Sequence, residues 1–316
     1  MCGDIEINPG PPNTAELLNL LRQKGNHIFH QNICGLFSKK ELVEEFLQRS
    51  QNIDIFTLSE TLVNKNDTDE IFDIPGFTFV NKPRKSGKGG GVAAYISEKI
   101  KWERREDLEN EDIECIWLEI SPPKAKSYYV CILYRPPDTS SHLPSNFNDS
   151  FSNMLSLATQ ESKECILTGD VNVNFLSNTN KEFKTTLSLY GFKQLITKPT
   201  RYNDNNATLI DIVASNHPWN IPATEVIPLS FSDHEMIGCT RKINSSKYKA
   251  RTINCRDYKN YAPEKLIDEL KAINWNSLYE MNNVNDAWNF LKTTLFDAFD
   301  RHAPMISKQI RGKPCP

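Results

Sequence analysis

The residues best placed to do chemistry lie in one stretch, Glu164-Cys-Ile-Leu-Thr-Gly-Asp-Val-Asn-Val-Asn-Phe175. Residues 165–167 read as a buried strand, Gly169 allows a turn, and Asp170 and Asn172 follow. Two polar side chains two residues apart on an extended segment face the same side. A carboxylate able to accept a proton and an amide able to orient a phosphate would then stand together at the mouth of a sheet. The same residues also suit an Asx-rich turn in which both side chains bond only their own backbone. Repetition shifts the balance toward chemistry, because apolar runs deliver polar residues at five further places. These are Asn32 in residues 27–34, Glu60 after residues 53–58, Tyr134 closing residues 128–134, Asp211 within residues 208–213, and Asp233 with His234 in residues 231–237.

If these strands form two packed sheets, their polar ends can converge on one open edge, and the set then contains what phosphodiester cleavage requires. Glu60 and Asp233 are hard oxygen ligands suited to Mg²⁺ lying against a substrate phosphate. Asp170 can take a proton from the attacking water, with Asn172 and Asn32 orienting water and phosphate. Asp211 in an apolar strand is costly unless it has a partner. The expected partner is His234, whose tautomer and basicity a buried carboxylate would set. The imidazole could then bond the non-bridging oxygen on which charge develops. Tyr134 reads either as an amphipathic core plug or as a phenol that binds phosphate.

Several elements must position these groups. A short helix is expected over residues 14–21, and a second one N-capped by Ser38 with Leu42, Phe46 and Leu47 on one face. Residues 74–80 alternate like a strand. Residues 82–91 form a glycine-rich basic loop that lacks the Gly-Lys-Ser/Thr order of a nucleotide-binding loop. It reads as a hairpin turn into residues 92–96, with Lys82, Arg84, Lys85 and Lys88 either touching a phosphate backbone or simply solvated. Residues 113–120 and 128–134 look like neighbouring strands, and Pro136 and Pro137 end the pairing. Helices are expected over residues 145–159, with Phe147, Phe151, Met154, Leu155 and Ala158 inward, and over residues 182–190, stopped by Gly191.

The 316 residues are 39% hydrophobic, enough for one large domain or one domain with an appendage. The net charge of −3 leaves no overall basic footprint. Residues 241–316, however, carry 14 Lys and Arg against 8 Asp and Glu. A basic tail on an acidic body is the pattern of a polyanion partner. This tail, residues 243–316, reads as a partly helical linker. Its two helices, residues 263–273 and 285–301, carry apolar stripes (Leu266, Ile267, Leu270; Trp288, Leu291, Leu295, Phe299) that suit core or docking rather than a cofactor. The eight cysteines are scattered, which argues against a zinc site and for a reducing compartment. No signal-peptide core and no run of membrane-spanning length occurs, so a soluble intracellular protein without a membrane partner is expected.

Six motifs in order carry a family resemblance: Gln-Asn-Ile-Cys-Gly-Leu (31–36), Ser-Glu-Thr (59–61), Leu-Tyr-Arg-Pro-Pro (133–137), Gly-Asp-Val-Asn (169–172), Leu-Ile-Asp-Ile-Val (209–213) and Ser-Asp-His (232–234). Residues 25–242 resemble the endonuclease/exonuclease/phosphatase superfamily, the deoxyribonuclease-I-like fold. The resemblance implies a four-layer α/β sandwich of two packed mixed sheets flanked by helices, and a Mg²⁺-dependent phosphodiesterase, Mn²⁺ being a possible substitute. It implies the same roles for Asn32, Glu60, Tyr134, Asp170, Asn172, Asp211, Asp233 and His234, with Thr200 and Arg135 as substrate contacts. Cys34 stands where several relatives carry an acidic or amide residue, and a thiol is a poor Mg²⁺ ligand. Within the superfamily, Tyr-Arg-Pro-Pro and Lys-Pro-Thr-Arg (198–201) resemble the apurinic-type endonuclease of non-LTR, LINE-type, jockey-like retrotransposons. That branch implies nicking of double-stranded DNA to leave a 3′-hydroxyl primer, a nuclear location, and a reverse transcriptase, whose Asp-Asp signature does not occur in this sequence. The alternatives are a cellular phosphodiesterase of the same fold, either an apurinic endonuclease or a phosphoinositide phosphatase, and an inactive element relic. The leader, residues 1–13, is too rich in Pro and Gly for a regular element. Within it, residues 3–11 resemble the ribosome-skipping peptide of picornavirus type.

Overall fold

The computed structural model describes residues 15–310 other than 51, 66, 88, 124, 204, 205, 230 and 244–250. The leader of residues 1–13, Lys88 and Cys315 lie outside the described residues. The chain divides into two compact units, Met1–Ser245 and Ser246–Pro316.

The first unit runs α1 (Ala15–Leu21), β1 (Asn26–Asn32), α2 (Lys40–Arg49), β2 (Ile55–Ser59), β3 (Phe77–Lys82), β4 (Val92–Ser97), β5 (Trp102–Arg104), β6 (Glu114–Ile120), β7 (Tyr128–Tyr134), α3 (Phe147–Gln160), β8 (Glu164–Asp170), α4 (Lys181–Leu189), β9 (Lys193–Gln194), β10 (Arg201–Asn203), β11 (Asn206–Thr208), β12 (Asp211–Ser215), β13 (Ala223–Ile227) and β14 (Met236–Arg241). Two six-stranded sheets form, in the orders β13-β14-β1-β2-β4-β3 and β5-β6-β7-β8-β12-β9. β10 and β11 make a separate two-stranded hairpin.

Alternation along the strands assigns the layers. Ile28, Ile55, Ala94, Ile116, Val130 and Ile166 pack in a core to which both sheets contribute. Their neighbours Phe29, Phe56 and Tyr95 face the other way, onto α1 and α2 through Leu17, Leu20, Val43 and Phe46. On the second sheet Trp117, Cys131 and Leu167 face Phe151, Met154, Phe183 and Leu187 of α3 and α4. The result is the expected four-layer α/β sandwich. Strands with both faces covered read as nearly continuous apolar runs, and so the polar residues at their ends stand out.

Each sheet contains one parallel pair, β1 with β2 and β7 with β8. Parallel pairing brings C-terminal ends together, setting Asn32 opposite Ser59 and Tyr134 opposite Asp170. The antiparallel β12 then sets Asp211 opposite Asp170.

Four local expectations need correction. Asp211 opens β12 rather than interrupting a strand. Asn172 lies beyond the end of β8 in a left-handed conformation, φ 49°, so it is not on an extended segment with Asp170. Ser38 does not cap α2. A 3-10 turn over Phe37–Lys39 precedes that helix, and the Ser38 hydroxyl donates to the Gly35 carbonyl. The basic loop is neutralised from a distance, with Lys82 on Glu109, Arg84 on Glu114 and Lys85 on Glu111, acids that lie 26 to 30 residues away along the chain.

In the second unit α5 (Pro263–Ala272), α6 (Asn276–Tyr279) and α7 (Val284–His302) accompany an antiparallel pair not read in the sequence, β15 (Arg251–Arg256) with β16 (Met305–Ile310). Glu269 of α5 accepts from Arg301 at 2.8 Å and faces His302 at 2.6 Å. Leu266 and Ala298 are buried, whereas Ile267 and Trp288 remain exposed. Among the described residues no helix is long and apolar enough to cross a membrane.

Gly169 shows how closely β7 and β8 approach, since a β-carbon there would stand 1.8 Å from the Leu133 carbonyl oxygen. Gly169→Ala is expected to cost at least ~3 kcal/mol, read as a lowered denaturant midpoint by circular dichroism.

Candidate active site

The C-terminal ends of β1, β2, β7 and β8 and the start of β12 gather a network of polar side chains. Asn32 is its hub. Its amide nitrogen donates to Glu60 Oε1 at 3.0 Å and to Asp170 Oδ2 at 2.9 Å, so one NH₂ group spans carboxylates from the two sheets. Its carbonyl oxygen is held in turn by the Cys34 amide at 3.1 Å. Tyr134 donates its hydroxyl to the same Glu60 Oε1 at 3.1 Å. Burial, then the charges of Glu60 and Asp170, push the ionisation of this phenol well up, keeping it a donor.

Asp170 is fully buried. Oδ1 accepts from the Asn172 amide at 3.0 Å, and Oδ2 also accepts from Asn172 Nδ2 at 3.3 Å. The Asx turn and the side-chain partnership are thus both present. Asn172 also ties to the Arg135 carbonyl at 3.0 Å. Burial and the neighbouring Asp211 raise Asp170 to about 7, with His234, Asn172 and Asn32 pulling the other way. Proton acceptors work best when poised near the working pH.

Asp211 and His234 form a buried pair, with Nδ1 2.9 Å from Oδ2 and 3.2 Å from Oδ1. A carboxylate only accepts, so Nδ1 carries a proton. Burial opposes the charged ring, but Asp211 and then Asp170 outweigh it and raise His234 to about 9. The imidazolium retains Nε2–H, which has no hydrogen-bond partner among the described residues. The backbone around His234 is pinned as well. Gln31 Nε2 donates to the His234 carbonyl at 2.9 Å, and the Ser232 hydroxyl donates to the Asn32 carbonyl at 2.6 Å.

Three expected contacts take different places. Thr200 is fully buried, and its hydroxyl accepts from the Ile210 and Asp211 amides at 3.3 and 3.2 Å. It steadies the start of β12. The Arg135 guanidinium is turned inward onto Asp138, the Pro136 and Val171 carbonyls and the Phe147 ring. Asp233 is held through Oδ2 by Arg201 Nε at 2.8 Å and Nη2 at 2.5 Å. This ion pair competes with any role as a metal ligand.

Two members escaped the sequence reading. Arg201 lies where it feels Asp170 and Glu60 as well as Asp233, and its sequence signal, the last place in the Lys-Pro-Thr-Arg motif, assigns it no role. His30 is buried inside β1 with Nδ1 2.9 Å from Thr57 Oγ1, whose own proton goes to the Phe29 carbonyl. Nδ1 is therefore the donor, leaving Nε2 to accept from Ser59, 3.3 Å away. Burial lowers His30 to about 4, against the pull of Asp211, so this ring stays neutral beside a charged His234.

The donor set fits a divalent cation. No hydrogen bond among the described residues reaches Glu60 Oε2, whose sister oxygen Oε1 accepts from Asn32 and Tyr134, and a carboxylate oxygen is the kind of ligand that hard cations prefer. Ligand atoms of Asp170, Asp211 and His234 also lie within 4.8 Å of one another, but they are largely committed to each other and to Asn32 and Asn172.

A mixed two-sheet sandwich that collects carboxylates, amides and an imidazolium at one end holds the groups that hydrolysis of a phosphoester calls for. The chain belongs to the Endonuclease/Exonuclease/phosphatase family, whose profile matches residues 18–234. The fold is shared with the endonuclease domain of TRAS1, a telomere-specific non-LTR retrotransposon (TM-score 0.53, 14% identity, 69% of this chain and 99% of that one). It is shared also with the AP endonuclease LMAP from Leishmania major (TM-score 0.58, 15% identity, 75% and 97%). A third is the 3′-5′ exonuclease NExo from Neisseria meningitidis (TM-score 0.52, 12% identity, 69% and 100%). No curated protein matches the chain.

Thr200→Val keeps the shape and strips two buried amides of their acceptor. The expected loss is ~1–3 kcal/mol of stability, measured by denaturant unfolding without added metal. Unchanged stability with weakened DNA binding would return Thr200 to a phosphate contact.

Proposed function

We propose that this chain is a divalent-metal-dependent endonuclease that nicks double-stranded DNA by phosphodiester hydrolysis, serving a non-LTR retrotransposon by leaving a 3′-hydroxyl that primes reverse transcription. The observation that carries the hydrolytic reading is the pairing of a buried proton acceptor, Asp170, with a buried imidazolium, His234, set beside a carboxylate oxygen left open on Glu60. The retroelement reading draws support from the Leu-Tyr-Arg-Pro-Pro and Lys-Pro-Thr-Arg motifs and from the likeness to the TRAS1 endonuclease domain.

In this reading Asp170 accepts a proton from the attacking water. The water oxygen bonds to phosphorus as the bond from phosphorus to the 3′ oxygen breaks, and the leaving oxygen takes a proton from solvent, giving a 3′-hydroxyl and a 5′-phosphate. His234 donates through Nε2 to a non-bridging phosphate oxygen as charge grows there, a donor fixed in place before the reaction. Asp211 holds the ring and its tautomer, and Thr200 holds the start of Asp211's strand. Asn32, Asn172 and Tyr134 keep the carboxylates of Asp170 and Glu60 in register. Glu60 would hold Mg²⁺, with Mn²⁺ a substitute, and the bound ion would supply electrostatic stabilisation of the phosphate. Arg201 would have to release Asp233 before that carboxylate could join it.

Nicking of supercoiled plasmid tests this reading. Activity is expected with Mg²⁺ and none with EDTA. Asp170→Ala is expected to lower the rate by ~10²–10⁴ and His234→Gln by ~10²–10³, both with unchanged circular dichroism. Nicking at the parent rate by either variant, or in EDTA, would overturn the mechanism. Faster cleavage of abasic than of intact duplex would favour a repair enzyme over a retroelement one.

A further inference from the structure

The end of the sandwich remote from Asp170 carries a cavity of about 710 Å³, a volume suited to a small organic ligand. The loop entering β7, the start of β8, the turn after β12 and the end of β14 line it, through Lys126, Glu164, His217, Asn220 and Arg241. Glu164 and Asp170 are the two ends of the seven-residue β8. About 20 Å of strand therefore separates this cavity from the catalytic network.

Arg241 joins the two sheets here. Its Nε and Nη2 donate to Glu164 Oε1 and Oε2 at 3.1 and 2.8 Å, and its guanidinium carbon lies 4.1 Å from the centre of the Tyr128 ring. The residue is only 6% exposed, and Nη1 is buried with no hydrogen-bond partner among the described residues. A buried donor left unmade is costly. Held by Glu164 and Tyr128, the guanidinium cannot swing out to water without breaking that pair. An acceptor brought by a ligand would satisfy it.

Three neighbours narrow the kind of ligand. Lys126 is exposed and makes no ion pair among the described residues. The carboxylates in the lining are already engaged, Glu164 by Arg241 and Asn220, and Glu161 by Arg105 and Lys163. An anion entering the cavity would thus meet cations, with the acids turned to other partners. His217 Nδ1 is 2.9 Å from Asn216 Oδ1, an oxygen that also accepts from the Cys165 amide. Nδ1 therefore carries the proton, and in the neutral ring Nε2 is left to accept, with no partner among the described residues. The centre of the His217 ring lies 4.9 Å from that of Trp219, and Trp219 is 66% exposed. These groups call for an anionic oxygen, a hydroxyl or N–H donor, and a flat ring that can stack. A phosphorylated nucleoside carries all three.

We infer that this cavity is a nucleotide site, in which Arg241 Nη1 and Lys126 bind the phosphate, His217 Nε2 accepts from the sugar or base, and Trp219 stacks on the base. The site does not depend on the endonuclease reading of the catalytic end. A free nucleotide and the phosphorylated end of a nucleic-acid strand present the same groups to it.

Calorimetric titration of the full 316-residue chain tests the site, in EDTA so that no metal at the catalytic end recruits phosphate. The probes are adenosine 5′-monophosphate, adenosine and a 5′-phosphorylated hexanucleotide. The monophosphate is expected to bind, and adenosine to bind roughly tenfold or more weakly. Lys126→Gln and Trp219→Ala, both at the surface, are each expected to weaken the monophosphate roughly tenfold with unchanged circular dichroism. Arg241 is left intact, because its removal would leave Glu164 buried without its partner. His234→Gln is expected to bind the monophosphate as the parent does. Tighter binding of the hexanucleotide than of the monophosphate would uphold the site as one for a strand end, and weaker binding would uphold it as one for a free nucleotide. No binding of either, adenosine binding as tightly as its monophosphate, or an affinity unmoved by both surface variants would overturn it. Binding lost in His234→Gln and kept in the surface variants would place the nucleotide at the catalytic end and overturn it as well.

Discussion

Asp170 and Asp211 lie opposite one another on neighbouring strands, with 0% and 1% of their surface exposed. Two carboxylates buried side by side repel, and each has lost its water. The rest of the site answers this problem. His234 supplies a positive charge to Asp211, while Asn32 and Asn172 supply neutral donors to Asp170. Asp170 moves into the range where it can trade a proton, and His234 is held charged. Thus the interactions that make the buried pair tolerable also assign one group as acceptor and the other as donor. His30 completes the arrangement by staying neutral, because a second imidazolium beside His234 would undo it.

The fold meets this constraint by where it ends its strands. One parallel pair in each sheet brings Asn32, Glu60, Tyr134 and Asp170 to the same end of the sandwich, and Asn32 links the two sheets through a single amide group. Past the strand ends the backbone must turn sharply to keep these side chains inward. Non-glycine residues take left-handed φ there, at Cys34, Glu60 and Asn172. The strain is concentrated where the chemistry is, and close packing such as that of Gly169 against β7 supports it from below.

Much of this was legible in the sequence for a physical reason. Strands covered on both faces are apolar along their length, so a polar residue at an end declares itself. The cost of burying Asp211 alone pointed to a partner, and His234 was the group able to serve. What stayed hidden depended on contacts distant in the chain. Lys82, Arg84 and Lys85 looked free because the acids that neutralise them, Glu114 of β6 and Glu109 and Glu111 in the loop before it, lie far along the chain. Thr200 and Arg135 were expected at the substrate from the family resemblance alone, and nothing in their neighbourhood announces the inward hydrogen bonds that they make. Arg201 could not be paired with Asp233 without knowing that β10 comes back beside residue 234. His30, in the middle of an apolar run, had the appearance of an ordinary core histidine. The pairing of β15 with β16 joins segments about fifty residues apart that carry no strong alternation.

The central claim is that the side chains from the two sheets act as one unit through Asn32. A double-mutant cycle on Asn32→Ala and Asp170→Ala, read as single-turnover nicking of a defined duplex with saturating Mg²⁺, addresses it most directly. Residues that act as a unit are strongly non-additive. The expected result is a double variant no slower than the slower of the two single variants. Losses that multiply would contradict it, and would mean that Asn32 and Asp170 contribute to the reaction independently.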